Sequence, residues 1–233
     1  KIGIVVVLAS TYEKTVFDEI TSYCQSQPNK CTVVDASKES WFFVWDTIDY
    51  PTLVKDCDYV FPPIPPTVFV KQFHEAGYQT TFIGTEVHMT SLETISEADL
   101  WGLIDGMILV RPNQWWSDEG KVIDMTKELL TIYRSYEAEN IIDYQPTYLA
   151  AQQVYLIYEL IRDTVTKYGF ENFSDEILYE NAQSFSISID GASHSYSETK
   201  RTSSDTLGIY RIDAQNETLV KADPDWIQIV TEP

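Results

Sequence analysis

An α/β fold built on a parallel sheet is predicted for residues 1 to 110 by three observations. Short apolar runs alternate with helical patterns about 10–15 residues long, a spacing that calls for right-handed crossovers between parallel strands. The first run, Ile2-Gly3-Ile4-Val5-Val6-Val7-Leu8, is apolar without alternation, as a strand covered on both faces must be. The fourth run, Thr80-Thr81-Phe82-Ile83-Gly84-Thr85-Glu86, sets a lone carboxylate at a strand's carboxyl end, where open α/β sheets bind ligands.

Each element has its own signal. Ser10-Thr11-Tyr12-Glu13 fits a capping box, with Ser10 capping the helix and Glu13 reaching back. Val16, Phe17, Ile20, Tyr23 and Cys24 then share one helical face. Thr32-Val33-Val34 reads as the second strand and Asp58-Tyr59-Val60-Phe61 as the third. The third strand runs into a proline-rich turn, Pro62 to Pro66, and Tyr12 closes the end of the first. Val68, Phe69, Phe73 and Ala76 form the inner stripe of the next helix, which Gly77 is suited to end. Thr80 to Ile83 and Gly106 to Val110 complete the strands of this half.

Beyond Arg111 the pattern becomes helical and then β. Val122, Met125, Leu129, Ile132, Tyr133 and Tyr136 mark an amphipathic helix. A longer helix runs from Thr147 to about Tyr168 and stops at Gly169; it is apolar nearly all round, so both of its sides are expected to be covered. Ser174-Asp175-Glu176 opens a short capped helix. Phe185 to Ile189, Leu207 to Ile212 and Trp226 to Val230 read as strands, and the Ser/Thr-rich stretch from Asp190 to Asp205 as a surface loop.

Bulk properties narrow the function classes. Sixteen basic against 36 acidic residues give a net charge of −20, which argues against nucleic acid, because phosphate neutralisation needs clustered Lys and Arg. No apolar run reaches the roughly 18 residues a membrane helix needs. Cys24 and Cys31 flank a short loop that a disulfide could close in an oxidising compartment, or they are two reduced thiols; Cys57 is left over. Asn172-Phe173-Ser174 and Asn216-Glu217-Thr218 match the glycosylation pattern. His74, His88 and His194 stand alone, with no second ligand at metal spacing, and His74 is placed on a helix's exposed face. Neither a glycine-rich phosphate loop nor a nucleophile elbow is present. Glu86 and Asp105 are the imaginable pair for acid–base work, at a distance the sequence does not fix. No catalytic residue, metal or cofactor is therefore expected.

Three stretches in order carry a family resemblance: Ile4 to Lys14, with its strand and Tyr-containing turn; Phe69 to Glu86, with helix, Ala-Gly cap, strand and terminal acid; and Tyr144 to Gln153, a helix start. Together they resemble the type I periplasmic solute-binding proteins, particularly the branched-chain amino-acid group of ABC importers. The resemblance implies a periplasmic-binding-protein-like α/β fold of two lobes, each a parallel sheet sandwiched by helices, that close on a ligand. It assigns residues 1–115 to most of the second lobe, 116–185 to helices returning to the first, and 186–233 to a β-rich crossover and tail.

The resemblance also implies that the first lobe is incomplete here, lacking a preceding stretch on the order of 100 residues. That agrees with an opening at Lys1 directly in a buried-strand pattern, which reads as a processed product or a fragment. The expected partners are an amino-acid-like small molecule, an ABC permease, and the missing N-terminal segment or a swapped second copy. The expected location is periplasmic or extracellular, with any lipid anchor carried by the missing segment.

The candidate ligand-binding residues follow from the matched motifs. Glu86 would hold a ligand ammonium by a charge-assisted bond, against the alternative of a loop acid or helix cap. Tyr12 would pack its ring on the ligand, or sit exposed in a helix's first turn. Tyr144 or Tyr148 matches the hinge-side aromatic, with core packing the rival for Tyr148. The turn Pro62 to Pro66 departs from the family's glycine-rich rim and removes amide donors there. Trp41 to Trp45 and Trp115-Trp116 add aromatic weight that would either widen the ligand range or pack in cores.

Overall fold

The computed structural model describes residues 1–38 and 49–229. The chain divides into two compact units, Lys1–Leu109 with Arg211–Thr218, and Val110–Tyr210 with Leu219–Pro233. Each is described by itself below.

The first unit is a mostly parallel sheet flanked by helices. Its elements are β1 (Ile2–Ile4), α1 (Thr11–Ser26), β2 (Val33–Asp35), α2 (Tyr50–Val54), β3 (Tyr59–Phe61), α3 (Thr67–Glu75), β4 (Thr81–Thr85), α4 (Leu92–Glu97) and β5 (Ile108–Arg111), which carries the chain out of the unit. The sheet runs β2-β1-β3-β4-β5, and the register is parallel from β2 to β4, with Ile2 opposite both Val33 and Tyr59, and Tyr59 opposite Thr81. Past β1 the pairing continues to Leu8, whose amide donates to Lys38 at 2.7 Å, so the long apolar run is strand-like over the length its pattern predicts.

Alternation sends residues to two different layers. Ile4, Val6 and Phe61 form one core with Val16, Phe17 and Ile20 of α1 and with Ile83. On the opposite face Phe82 meets Phe69 and Phe73 of α3 edge-on, with ring centroids 6.4 and 5.6 Å apart. Gly3 also points there: an added Cβ would come within 2.7 Å of Val54, so the glycine lets α2 lie against β1. Gly77, at φ +80°, ends α3 as its position suggested. The helix α1 is closed at its end by a disulfide between Cys24 and Cys31, and Cys57 is free and buried.

The second unit holds α5 (Lys121–Tyr133), α6 (Ala138–Tyr144), α7 (Tyr148–Tyr168), α8 (Asp175–Ala182), the hairpin β6 (Ser186–Ile189) and β7 (Ala192–Ser195), and most of β8 (Thr206–Asp213), β9 (Thr218–Lys221) and β10 (Ile227–Gln228). β10 pairs antiparallel with β8, Ile227 opposite Leu207.

Two expectations are corrected here. The Asp190–Asp205 stretch is not only a loop: it contains β7, whose Ala192 and His194 are buried. Polar composition hid it because Ser193 and Ser195 alternate with those two inward positions, as a half-buried strand does. Among the described residues, the long helix α7 is covered on one side only. Tyr148, Gln152 and Leu156 are buried, whereas Val154 is 68% exposed and Ile157 and Tyr158 are exposed with it. No helix among the described residues is long and apolar enough to cross a membrane.

Candidate ligand-binding site

The carboxyl ends of β1, β3 and β4 are stitched together by three side chains of the first unit, and two of the sequence-predicted residues lie in that seam. α1 begins where Ser10 Oγ accepts the Glu13 amide at 3.3 Å. The cap is as the motif predicts, but Glu13 does not return to the Ser10 amide. Its carboxylate accepts from the Val7 amide at 3.4 Å. The Ile64 amide also favours its charged form, so Glu13 joins the end of β1 to the proline turn. Burial dominates nonetheless and holds its carboxyl above the usual range.

His88 makes the second stitch. Its Nδ1 accepts the Thr85 amide at 3.1 Å, which leaves the proton on Nε2 to donate to the Pro62 carbonyl at 3.2 Å. The ring is fully enclosed and meets Phe61 edge-on at 4.9 Å. Burial lowers its pKa to about 4, so it is a neutral spacer. Gly84 permits this: a Cβ there would stand 2.9 Å from Nδ1. The prolines thus do remove donors, while the turn's Ile64 amide and Pro62 carbonyl are both spent on holding the rim in place.

Tyr12 makes the third. Its hydroxyl hydrogen-bonds the Thr85 hydroxyl, and the residue stays 39% exposed. Burial, and then the charges of Glu86 and Glu13, raise its phenol above the ordinary value. Tyr12 and Glu86 are therefore neighbours at one rim, on the strand ends where the motif placed them. Glu86 is half-buried and opens a 3-10 turn, Glu86–Ser91. Asp105 lies before β5, at the amino end of the strands, and accepts the Ala214 amide at 3.0 Å. Because β4 delivers Glu86 to the opposite end of the sheet, the two carboxylates form no dyad.

Tyr144 and Tyr148 belong to the second unit. Tyr144 is half-buried at the end of α6. Tyr148 is buried, meets Trp116 edge-on at 5.5 Å, and donates to Asp190 Oδ2 at 3.4 Å. Trp115 lies under the Arg111 guanidinium at 4.7 Å and Trp116 donates to the Gln145 carbonyl at 2.7 Å. Both tryptophans are core residues of this unit. Trp41 and Trp45 lie outside the described residues.

Sequence reasoning missed Thr85, His88 and the buried role of Glu13. The signal for His88 was available: it falls three positions after Thr85, where a capping box places its second member. His74 is also engaged, its Nε2 donating to the Leu103 carbonyl at 2.7 Å, not facing solvent. Among the described residues no cluster of His, Cys, Asp and Glu could hold a metal.

No protein-family model matches the sequence, and no curated protein matches it. Solved structures do. A branched-chain amino-acid ABC transporter protein from Thermus thermophilus with bound valine aligns at TM-score 0.67 and 15% identity, over 98% of this chain and 60% of its own. The fold is that of the type I periplasmic binding proteins. A closed-form leucine-, isoleucine-, valine-, threonine- and alanine-binding protein from Brucella ovis aligns at TM-score 0.65 and 12% identity, over 99% of this chain and 57% of that one. A solute-binding protein from R. palustris in complex with benzoate aligns at TM-score 0.64 and 12% identity, over all of this chain and 60% of its own. The chain thus spans about 60% of the length of these binding proteins.

Proposed function

We propose that this chain is the ligand-gripping part of an extracytoplasmic solute-binding protein of an ABC importer, and that it takes an amino acid or a related amine-bearing solute without altering it. The observation that carries the reading is the pairing of Tyr12 and Glu86 at the carboxyl rim of a parallel sheet. A carboxylate there is suited to an ammonium by a charge-assisted bond, and a half-exposed phenol ring to the carbon beside it. The rim around them is stitched by Glu13 and His88, so the pair is held in place before any ligand arrives. Tyr144 or Tyr148 is the further aromatic contact that the family motif implies. A permease is the implied partner, and the periplasm or cell exterior the implied location, in keeping with the Cys24–Cys31 bond.

Calorimetry on the complete gene product tests this with L-valine, L-leucine, the corresponding amides and benzoate. Binding of an amine-bearing member, lost in Glu86→Gln, is expected. Benzoate binding with no amine binding would refute the role of Glu86, since a carboxylate ligand would meet a carboxylate. Silence across the whole panel would remove the importer reading. The same fold serving as a sensor ectodomain is the second reading, favoured instead if the gene continues past Pro233 into a membrane span.

A further inference from the structure

We propose that the outer edge of β2 is a docking site for an extended peptide of a separate partner, which adds to the first unit's sheet as a further strand. One aromatic side chain of the peptide fills a crevice beside the edge, and a basic residue meets Asp35. The site shares no residue with the rim of Tyr12 and Glu86 and does not rest on the ligand reading. β2 ends the sheet and, among the described residues, pairs with β1 alone. The Ile2 amide donates to the Thr32 carbonyl and the Ala36 amide to the Ile4 carbonyl, each at 2.9 Å, so Thr32, Val34 and Ala36 turn their peptide groups to β1. By the alternation of a strand, the N–H and C=O groups of Val33 and Asp35 point outward along the open edge. Such a row is a template for another strand.

The crevice, about 330 Å³, lies between Phe17, Thr21, Cys24 and Pro28, on α1 and the turn after it, and Val33 and Asp35 of β2. Val33 packs on the core under α1, so the crevice is on that face, where an added strand puts the side chain opposite Val33. An apolar cavity of about 150 Å³ takes a benzene ring, so the space suits one aromatic side chain. Thr21 gives that side chain a polar tip. The hydroxyls of Thr15, Thr126, Thr131, Thr164 and Thr166 each donate to the helix carbonyl four residues back. The Thr21 hydroxyl is buried with no partner, and a tyrosine hydroxyl in the crevice supplies one.

Charge selects the rest of the partner. Among the described residues Asp35 is the only charged group on the crevice, and the Ser37 amide and hydroxyl hold its carboxylate at 2.8 and 2.6 Å. In an antiparallel pairing, the residue two positions before the tyrosine falls opposite Asp35, and a lysine there makes a cross-strand ion pair. The chain's net charge of −20 favours a basic partner. It disfavours a second copy of this chain, which brings the same −20 to the contact.

Fluorescence anisotropy of the peptide fluorescein-Lys-Val-Tyr-Val-Thr-amide with the complete gene product tests the proposal, and amide hydrogen exchange of β2 locates the contact. Saturable binding is expected. It should weaken roughly 5-fold or more when the tyrosine is replaced by serine, and likewise when the tyrosine amide is N-methylated and cannot pair with Val33. The outer amides of β2 should exchange quickly in the free protein and slow when the peptide is bound. Glu86→Gln should bind the peptide as the native protein does, which separates this site from the rim. No binding, equal affinity for either altered peptide, or loss of binding in Glu86→Gln would overturn the proposal. So would an edge already protected in the free protein, or protected more as protein concentration rises, because the chain itself or a second copy would then hold it.

Discussion

His88 shows how a residue with no reactive part to play can set the geometry of a site. Its pKa of about 4 against an ordinary 6.5 means the folded protein resists protonating it. The unfolded chain therefore binds more protons between those values, and stability rises with pH across that window. The contribution is fully present above pH 6.5 and is lost as pH falls towards 4, in total about 3 kcal/mol for this buried ring. Denaturant titrations from pH 7 to pH 4 should show that decline, and the difference between the native protein and His88→Asn should shrink over the same interval. A pH-independent difference would mean the ring is not held neutral by burial. Glu86 sits two residues away and should behave oppositely in kind. Glu86→Gln keeps the side chain's size and an acceptor oxygen, so thermal melting is expected to move little, while affinity for an amine-bearing ligand is expected to fall roughly 10- to 100-fold, the value of a hydrogen bond to a charged group.

At the scale of elements, local periodicity made the scaffold readable, and long-range contacts account for what it left hidden. α1 and α3 were legible from a 3.6 spacing within their own residues, β1 and β4 from short apolar runs bounded by polar turns, and α7 from a long apolar run ended by Gly169. In β7 the alternation is carried by only a small and a polar inward residue, Ala192 and His194, so the partner strand and the burial of His194 are what distinguish it from a serine-rich loop. Asp190 is the same lesson in one side chain. It turns the β6–β7 hairpin at φ +48° and also caps α5, its carboxylate accepting the Val122 and Ile123 amides at 3.0 and 3.1 Å. Gly120, the residue before the helix, gives the carboxylate room, because a Cβ there would lie 2.3 Å from its carbon. Asp190→Ala should therefore cost roughly 1–2 kcal/mol, the worth of a helix cap, read from chemical denaturation. The α7 helix permits a sharper contrast. Leu156→Ala removes a buried side chain and should cost about 2–5 kcal/mol. Val154→Lys, two positions away on the open side, should be within about 0.5 kcal/mol of neutral in residues 1–233. A large loss at Val154 would show that the helix is covered on both sides after all, as its composition first suggested.

The whole molecule adds an electrostatic frame that no single element reveals. Thirty-six acidic residues against 16 basic ones give the chain a negative field, and Glu86 adds its own charge at the rim. Composition made the sign of this field plain, and the rim position followed from the strand pattern. The sequence did not show that the rim is stitched by uncharged or buried groups, Thr85, His88 and Glu13, leaving Glu86 beside a phenol. A field of this sign favours cationic and zwitterionic solutes whose ammonium leads, and opposes anions. Screening then discriminates between ligand classes, because the Debye length falls from about 30 Å at 0.01 M salt to about 8 Å at 0.15 M. For the complete protein, association of a cationic solute should slow across that range and association of an anionic one should quicken. Dissociation should change far less, since it is governed by contacts shorter than the screening length. Stopped-flow measurements with L-lysine amide and benzoate at the two salt concentrations check this. Salt effects of the same sign for both would show that the rim's field is not the field of the chain.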